Sequence, residues 1–302
     1  MKTSQLIRSL KMYKWNYAMI LPGIILLFLF AYMPMYGILI AFKKYEIYKG
    51  ISGSPWLGFQ NFYFLKDGYF WESFLNTIYI TILRLVFGFP APIILALLLN
   101  EIRNPKFKKS IQSITYLPHF ISWIVVAYML QTLLALDTGI INNMLSAMGK
   151  DQINFMGDPS YFRPIVIISA IWKDIGWDAI IYLAALASIS QEQLESATLD
   201  GAGRFQRIWY INIPGIMPTI SILLILYMPR LLSAGYEQIY PLVNPANLAI
   251  SNVLDVYIIR LGLGNSQFSV ATAIGFASAS IQLLLVLFVN YIIKKRGQDG
   301  LW

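Results

Sequence analysis

Residues 190–214 read Ser190-Gln-Glu-Gln-Leu-Glu-Ser-Ala-Thr-Leu-Asp-Gly-Ala-Gly-Arg-Phe-Gln-Arg-Ile-Trp-Tyr-Ile-Asn-Ile-Pro214, a polar, charged stretch set between two of the most apolar segments of the chain. Ser190 followed by Gln193 matches a capping box, in which the hydroxyl serves a free amide of the first turn and the glutamine reaches back. A helix is expected through Leu194, Ala197 and Thr198, and Gly201 supplies the permissive backbone that ends it. Asp200 and Arg204 stand four residues apart across that turn, placed to pair at the surface. A second short helix is expected next, with Phe205, Ile208 and Trp209 on one stripe. Pro214 then opens the following apolar run, where its missing N–H costs little. An amphipathic helix lying in the lipid interface would also fit between two spans. Such a helix is more often continuous and lysine-rich, whereas this segment is short, mixes acids with bases and folds back on itself. So ordered a polar elbow implies something that docks on it.

Outward from the elbow the chain is apolar in both directions. Of its 302 residues 57% are hydrophobic and 13% charged, with a mean hydropathy of +0.59. A soluble domain is nearer a quarter charged. The excess apolar surface is too large for one compact core and calls for lipid as solvent. The net charge of +8 raises nucleic acid as a partner, but the basic residues gather at the ends of apolar runs and line no face. That distribution marks membrane orientation instead, and no nucleic-acid partner is expected. The absence of cysteine removes a disulfide frame, a thiolate metal site and a cysteine nucleophile. His119, the single histidine, has no His-x-x-x-His partner or acidic cluster around it and reads as a helix-end residue, with no metal site expected.

Six segments reach the roughly 20 apolar residues needed to cross the hydrocarbon core as a helix: about 17–41, 73–100, 111–135, 164–187, 214–234 and 270–293. They predict an all-α polytopic membrane protein forming a single domain over 1–302. Pro22, Pro34, Pro90, Pro92 and Pro229 fall inside spans, where neighbouring helices can re-satisfy freed carbonyls. Pro118-His119 interrupts the start of the third. The first run follows Lys2, Arg8, Lys11 and Lys14; it is too long for a signal peptide and lacks a small-residue cleavage site, so it is expected to stay as the first span. Thirteen Lys and Arg residues fall on the side of the amino terminus, of Arg103 to Lys109, of the elbow and of Lys294 to Arg296, against seven on the other. The positive-inside bias therefore places both termini and the elbow in the cytoplasm. Trp56, Tyr63, Tyr69 and Trp71 in the outer loop 42–72 fit an interfacial belt.

The elbow carries a longer pattern: Glu195-Ser196-Ala197, three residues, Gly201, nine residues, then Ile211-Asn212-Ile213-Pro214. It resembles the EAA signature of ATP-binding-cassette (ABC) importer permeases, E-A-A-x3-G-x9-I-x-L-P, with Ser196 for Ala and Ile213 for Leu as departures. The resemblance extends over most of the chain. Asp200-Gly201-Ala202 and Tyr36-Gly-Ile-Leu-Ile-Ala-Phe-Lys-Lys44 are similar to the carbohydrate-uptake branch, especially permeases for larger oligosaccharides. It implies a type I importer permease fold in a bacterial cytoplasmic membrane, with the elbow as a coupling helix seated in a groove of a cytosolic ATPase. Glu195, Ser196, Ala197, Asp200, Gly201, Ala202, Arg204 and Pro214 are the coupling residues it implies. The implied partners are a second, related permease, two ATPase subunits that use ATP and Mg, an extracellular solute-binding protein and an oligosaccharide. The chain itself has no G-x-x-x-x-G-K-[ST]; Gly149-Lys150 lacks the upstream Gly and the following Ser or Thr, and no cofactor of its own is expected.

For the substrate path, the fourth span offers Trp172, Asp174, Trp177 and Asp178, of which Asp174, Trp177 and Asp178 share a face with Ile181. Ionisable groups within a span usually face a bundle interior or a watery cavity, and rings beside carboxylates suit sugars. The alternative sets Lys173, Asp174 and Asp178 at the outer headgroup level, paired with lipid or with each other. By resemblance, sugar permeases place contacts on this helix and on the one after the elbow, where Trp177 fits and Asp174 departs from the smaller residue expected. The fifth span and its exit add Tyr227, Arg230, Ser233, Tyr236, Glu237, Gln238 and Tyr240. Arg230 would meet either a carboxylate of an acidic sugar or an internal acid such as Asp178. Ala271, Gly275 and Ala279 form a stripe suited to close helix packing. A permease for another solute, glycerol-phosphate-type or peptide, is the nearest alternative. A solitary membrane enzyme would need a paired base and nucleophile, and a channel a filter loop.

Overall fold

The computed structural model describes residues 12–295, 297 and 300–301; Lys2, Arg8, Lys11 and Arg296 lie outside them. The described residues are helical, apart from loops and one isolated antiparallel bridge between Lys43 and Trp56. Eight helices organise them: α1 Lys14–Phe42, α2 Gly68–Asn100, α3 Pro105–Phe120, α4 Trp123–Leu133, α5 Pro159–Ala187, α6 Gln191–Leu199, α7 Arg204–Leu232 and α8 Phe268–Lys295. Among them α1, α2, α7 and α8 are long and apolar enough to cross a membrane, and α3 with α4 makes a fifth if the bent pair is one span. The sixth expected span coincides with α5, a 29-residue helix whose middle carries Lys173, Asp174 and Asp178 and which falls outside that apolar set.

Prolines explain the departures from straight helix. In α2 a wide turn at Arg84–Gly88 precedes Pro90, with the Phe89 N–H bonded to the Arg84 carbonyl at 3.0 Å. A proline removes a helical hydrogen bond, and widening the turn before it relieves the clash of its ring. The third expected span, 111–135, is not one rod. After Pro118 the chain tightens over Leu117–Phe120, turns extended at Ile121 and Ser122, and restarts as α4 at 102° to α3. The Ser122 hydroxyl accepts from the Val125 N–H at 3.4 Å as the cap of the new helix. The fifth span also differs from expectation. It does not begin at Pro214 but runs continuously from Arg204, with a wide turn at Ile208–Asn212 absorbing the proline.

The chain divides into two compact units, residues 1–64 with 261–276 and residues 65–260 with 277–302. In the smaller, Phe42 packs on Trp56, Phe59, Phe62 and Phe276 with ring centroids 5.5–5.8 Å apart. The Asn61 amide donates to the Ala41 and Lys43 carbonyls, each at 2.9 Å, tying the end of α1 to its outer loop. The surface of α1 is apolar all round, as a helix facing hydrocarbon requires. In the larger unit one core gathers Ile80, Ala127, Val166, Ala234 and Val256, and a second joins Ala96, Ala179, Tyr182 and Ile216. Between α3 and α5 the backbones nearly touch. A Cβ on Gly176 would stand 2.2 Å from the Thr115 carbonyl oxygen, so only glycine fits.

Candidate functional site: a coupling elbow and a mixed-charge cavity

At the elbow, α6 ends as its glycine demands. Gly201 takes φ +83°, the Ala202 N–H bonds the Ala197 carbonyl at 2.9 Å and the Gly201 N–H that of Thr198 at 3.1 Å, the paired bonds of a Schellman motif. The expected capping box is absent: Ser190 occupies the N-cap position, but its side chain makes no cap bond. The reciprocal arm appears at the next helix, where Gln206 accepts from the Gly203 N–H at 2.7 Å. Arg204 does not pair with Asp200; its Nε lies 3.9 Å from Glu101, just beyond α2. Arg207 donates to the Thr198 hydroxyl at 2.8 Å and so holds α7 against α6. Glu195, Ser196, Asp200 and Pro214 are exposed, and Ala197 and Ala202 half-buried. Leu199 and Phe205, flanking the turn, are 89% and 88% exposed. Two large apolar side chains thus stand out of a polar loop.

A cavity of about 590 Å³ opens in the larger unit. α2 contributes Arg84, Phe89 and Pro92; α4 Trp123; α5 Asp174 and Asp178; α7 Tyr227 and Arg230; and the chain beyond α7 Ser233, Tyr236, Glu237 and Gln238. Eight of the expected path residues thus meet on one void. Trp172, Trp177 and Tyr240 do not line it: Trp172 is exposed, Trp177 stacks on His119 with centroids 4.5 Å apart, and Tyr240 stacks on Tyr236 at 4.8 Å. Lys173 is buried and donates to the His119 carbonyl at 2.5 Å, which leaves Asp174 to pair with the His119 ring at 2.9 Å. Arg230 forms no ion pair with Asp178 and rests 5.6 Å from the Tyr227 ring.

Two residues of the site, Arg84 and Asp255, were not among those expected from the sequence. Arg84 donates to the Ala234 carbonyl at 2.6 Å and to the Gln238 side chain, and Gln238 in turn donates to the Val166 carbonyl at 2.8 Å and Ser169 Oγ at 2.9 Å. Gln238 is therefore the knot that ties the exit of α7 to α2 and α5. Asp255 holds the same exit, accepting from Ser233 Oγ at 3.1 Å and the Gly235 N–H at 2.9 Å. Burial pushes its carboxyl up, against the pull of those hydrogen bonds. A charged residue within a span was the available signal for Arg84; nothing flagged Asp255. Rings, carboxylates and guanidinium groups around a largely apolar void suit a polyhydroxylated ligand, whose C–H faces stack while its hydroxyls donate. No group of three potential metal-ligating side chains occurs among the described residues.

Helices long and apolar enough to cross a membrane, an exposed polar elbow and a cavity lined by rings and charges fit the class of membrane transport subunits. The chain belongs to the binding-protein-dependent transport system inner membrane component family, whose model matches residues 88–297. It is 42% identical to Protein LplB of Bacillus subtilis (strain 168), over 97% of this chain and 93% of that protein. It is 41% identical to the polygalacturonan/rhamnogalacturonan transport system permease protein YteP of the same organism, over 100% and 94%. Among solved structures it superposes, at 41% identity, on a chain of a bacterial ABC transporter involved in the import of the acidic polysaccharide alginate, with a TM-score of 0.89 over 96% of this chain and 99% of that one. A second alginate transporter structure, in complex with a pentasaccharide-bound periplasmic protein, gives 0.90 over 98% and 100%. The protein is a multi-pass permease component of an ABC importer, a transport subunit rather than an enzyme.

Proposed function

We propose that this permease imports an oligosaccharide across a bacterial cytoplasmic membrane, as one membrane domain with six spans and both termini in the cytoplasm. In this reading α5 is the remaining span, its charges turned to the cavity where lipid does not meet them. The observation that carries the substrate class is the cavity itself, where Asp174, Asp178, Tyr227, Tyr236 and Arg230 converge. Arg230 forms no ion pair with an acid of the chain among the described residues, which favours a saccharide bearing carboxylates. The relatives named for polygalacturonan/rhamnogalacturonan and for alginate support the same class.

The partners are a second permease, two ATPase subunits that bind ATP and Mg, and an extracellular solute-binding protein; this chain holds no cofactor of its own. Closure of the ATPases on ATP moves the elbow, the two permeases rock, and the cavity changes the side to which it opens. The test is ATP hydrolysis by the assembled importer in liposomes, with oligosaccharides of polygalacturonan, rhamnogalacturonan and alginate offered on the binding protein. Saccharide-stimulated turnover is the expected result; stimulation by glycerol phosphates or peptides instead would replace the substrate class.

A further inference from the structure

We propose that His119 is a positioning residue for substrate binding: it fixes the Asp174 carboxylate as an acceptor of saccharide hydroxyls in the cavity. The inference rests on the reading of that cavity as the substrate path. Asp174 lines the void, and its Oδ1 lies 2.9 Å from His119 Nδ1, while Oδ2 has no hydrogen bond among the described residues. The Asp174 side chain keeps 37% of its surface exposed. One oxygen is thus held by the protein and the other left for a ligand.

His119 is itself fixed on three sides. Its ring stacks on Trp177 with planes 2° apart, Phe120 packs edge-on against the histidine ring at 5.7 Å, and the buried Lys173 ammonium grips its carbonyl. With Nδ1 carrying the proton, the imidazole donates to Asp174 and sets the rotamer of the carboxylate. An acceptor already held in place by a hydrogen bond needs no reorganisation when a hydroxyl arrives, and that saving appears as affinity. The same arrangement places the binding carboxylate one hydrogen bond from the 102° break between α3 and α4. Trp177, which lines no part of the cavity, acts on substrate through this histidine.

The test separates the hydrogen bond from the stacking. His119→Phe keeps a ring on Trp177 but removes the donor; His119→Asn keeps a donor near Nδ1 and removes the ring. In the assembled importer, with the same three oligosaccharide probes, H119F is expected to raise the saccharide concentration for half-maximal ATP hydrolysis about tenfold, with the maximal rate changed less than about twofold, and H119N to stay within about threefold of wild type. Asp174→Asn should match H119F, and the D174N/H119F double variant should be no worse than either single one. Wild-type half-saturation in H119F, or losses that multiply in the double variant, would overturn the assignment. If H119F fails to assemble, an H119N loss as large as that of D174N does the same. A wild-type importer that no saccharide stimulates brings down the proposed substrate class, and this inference with it.

Discussion

Gly201 sets the turn of the elbow in one backbone angle. At φ +83° a side chain with a branched Cβ costs about 1–2 kcal/mol and the turn opens. Gly201→Val is expected to abolish saccharide uptake while the chain still reaches the membrane fraction, measured by uptake in cells beside immunoblots of membranes. At the other end, Arg230→Gln should weaken transport of carboxylated saccharides about tenfold or more and leave neutral ones within about threefold, since a charge-assisted pair is lost only for the former; competition between charged and neutral probes reads this directly. Gly201 was legible in the sequence because a helix stop is a local event. His119 and Arg84 were not, because their partners Asp174 and Gln238 lie 55 and 154 residues away. Ser190 failed as a capping box for the opposite reason: residue types at the right spacing do not guarantee the rotamer.

Helices α3 and α5 approach more closely at Gly176 than a larger side chain permits. That approach brings Lys173, Asp174 and Trp177 onto the broken turn at Leu117–Phe120. Gly176→Leu would drive a side chain into the Thr115 backbone, and overpacking of this kind costs about 1–3 kcal/mol. The expected result is a lowered melting temperature of the purified complex in detergent, with a further loss of saccharide stimulation as α3 is pushed off α5; an unchanged melting curve would contradict the contact. The prolines that widen a turn in α2 and in α7 and part α3 from α4 were visible in the sequence, but not what those departures do. A proline announces a missing hydrogen bond, whereas the direction of the bend depends on packing partners that one chain read linearly does not reveal. That is why 111–135 read as a single span and Pro214 as the start of another.

Across the whole molecule, apolar length and the placement of charge were enough to read a helical membrane protein, and the elbow motif enough to read its family. The meeting of eight of the expected path residues on one cavity depended on contacts between α2, α5, α7 and the chain beyond α7, which no periodicity encodes. Because the sequence contains no cysteine, single cysteines at Leu199 or Phe205 can be introduced without removing any other. Both should crosslink efficiently to the ATPase subunit in the assembled importer, and the crosslinks should inhibit turnover. Absence of crosslinks from both positions would show that the exposed elbow is not covered by that partner.

The continuity of α7 ties these scales together. One helix of 29 residues has its foot at Arg204 beside the elbow and Arg230 near its head in the cavity wall. At 1.5 Å per residue it is a strut about 40 Å long, so a tilt of about 10° at the foot sweeps the guanidinium about 7 Å. A displacement of that size exceeds the reach of any ion pair, so in the transport cycle proposed above a modest nudge at the elbow would be enough to free a carboxylate held by Arg230.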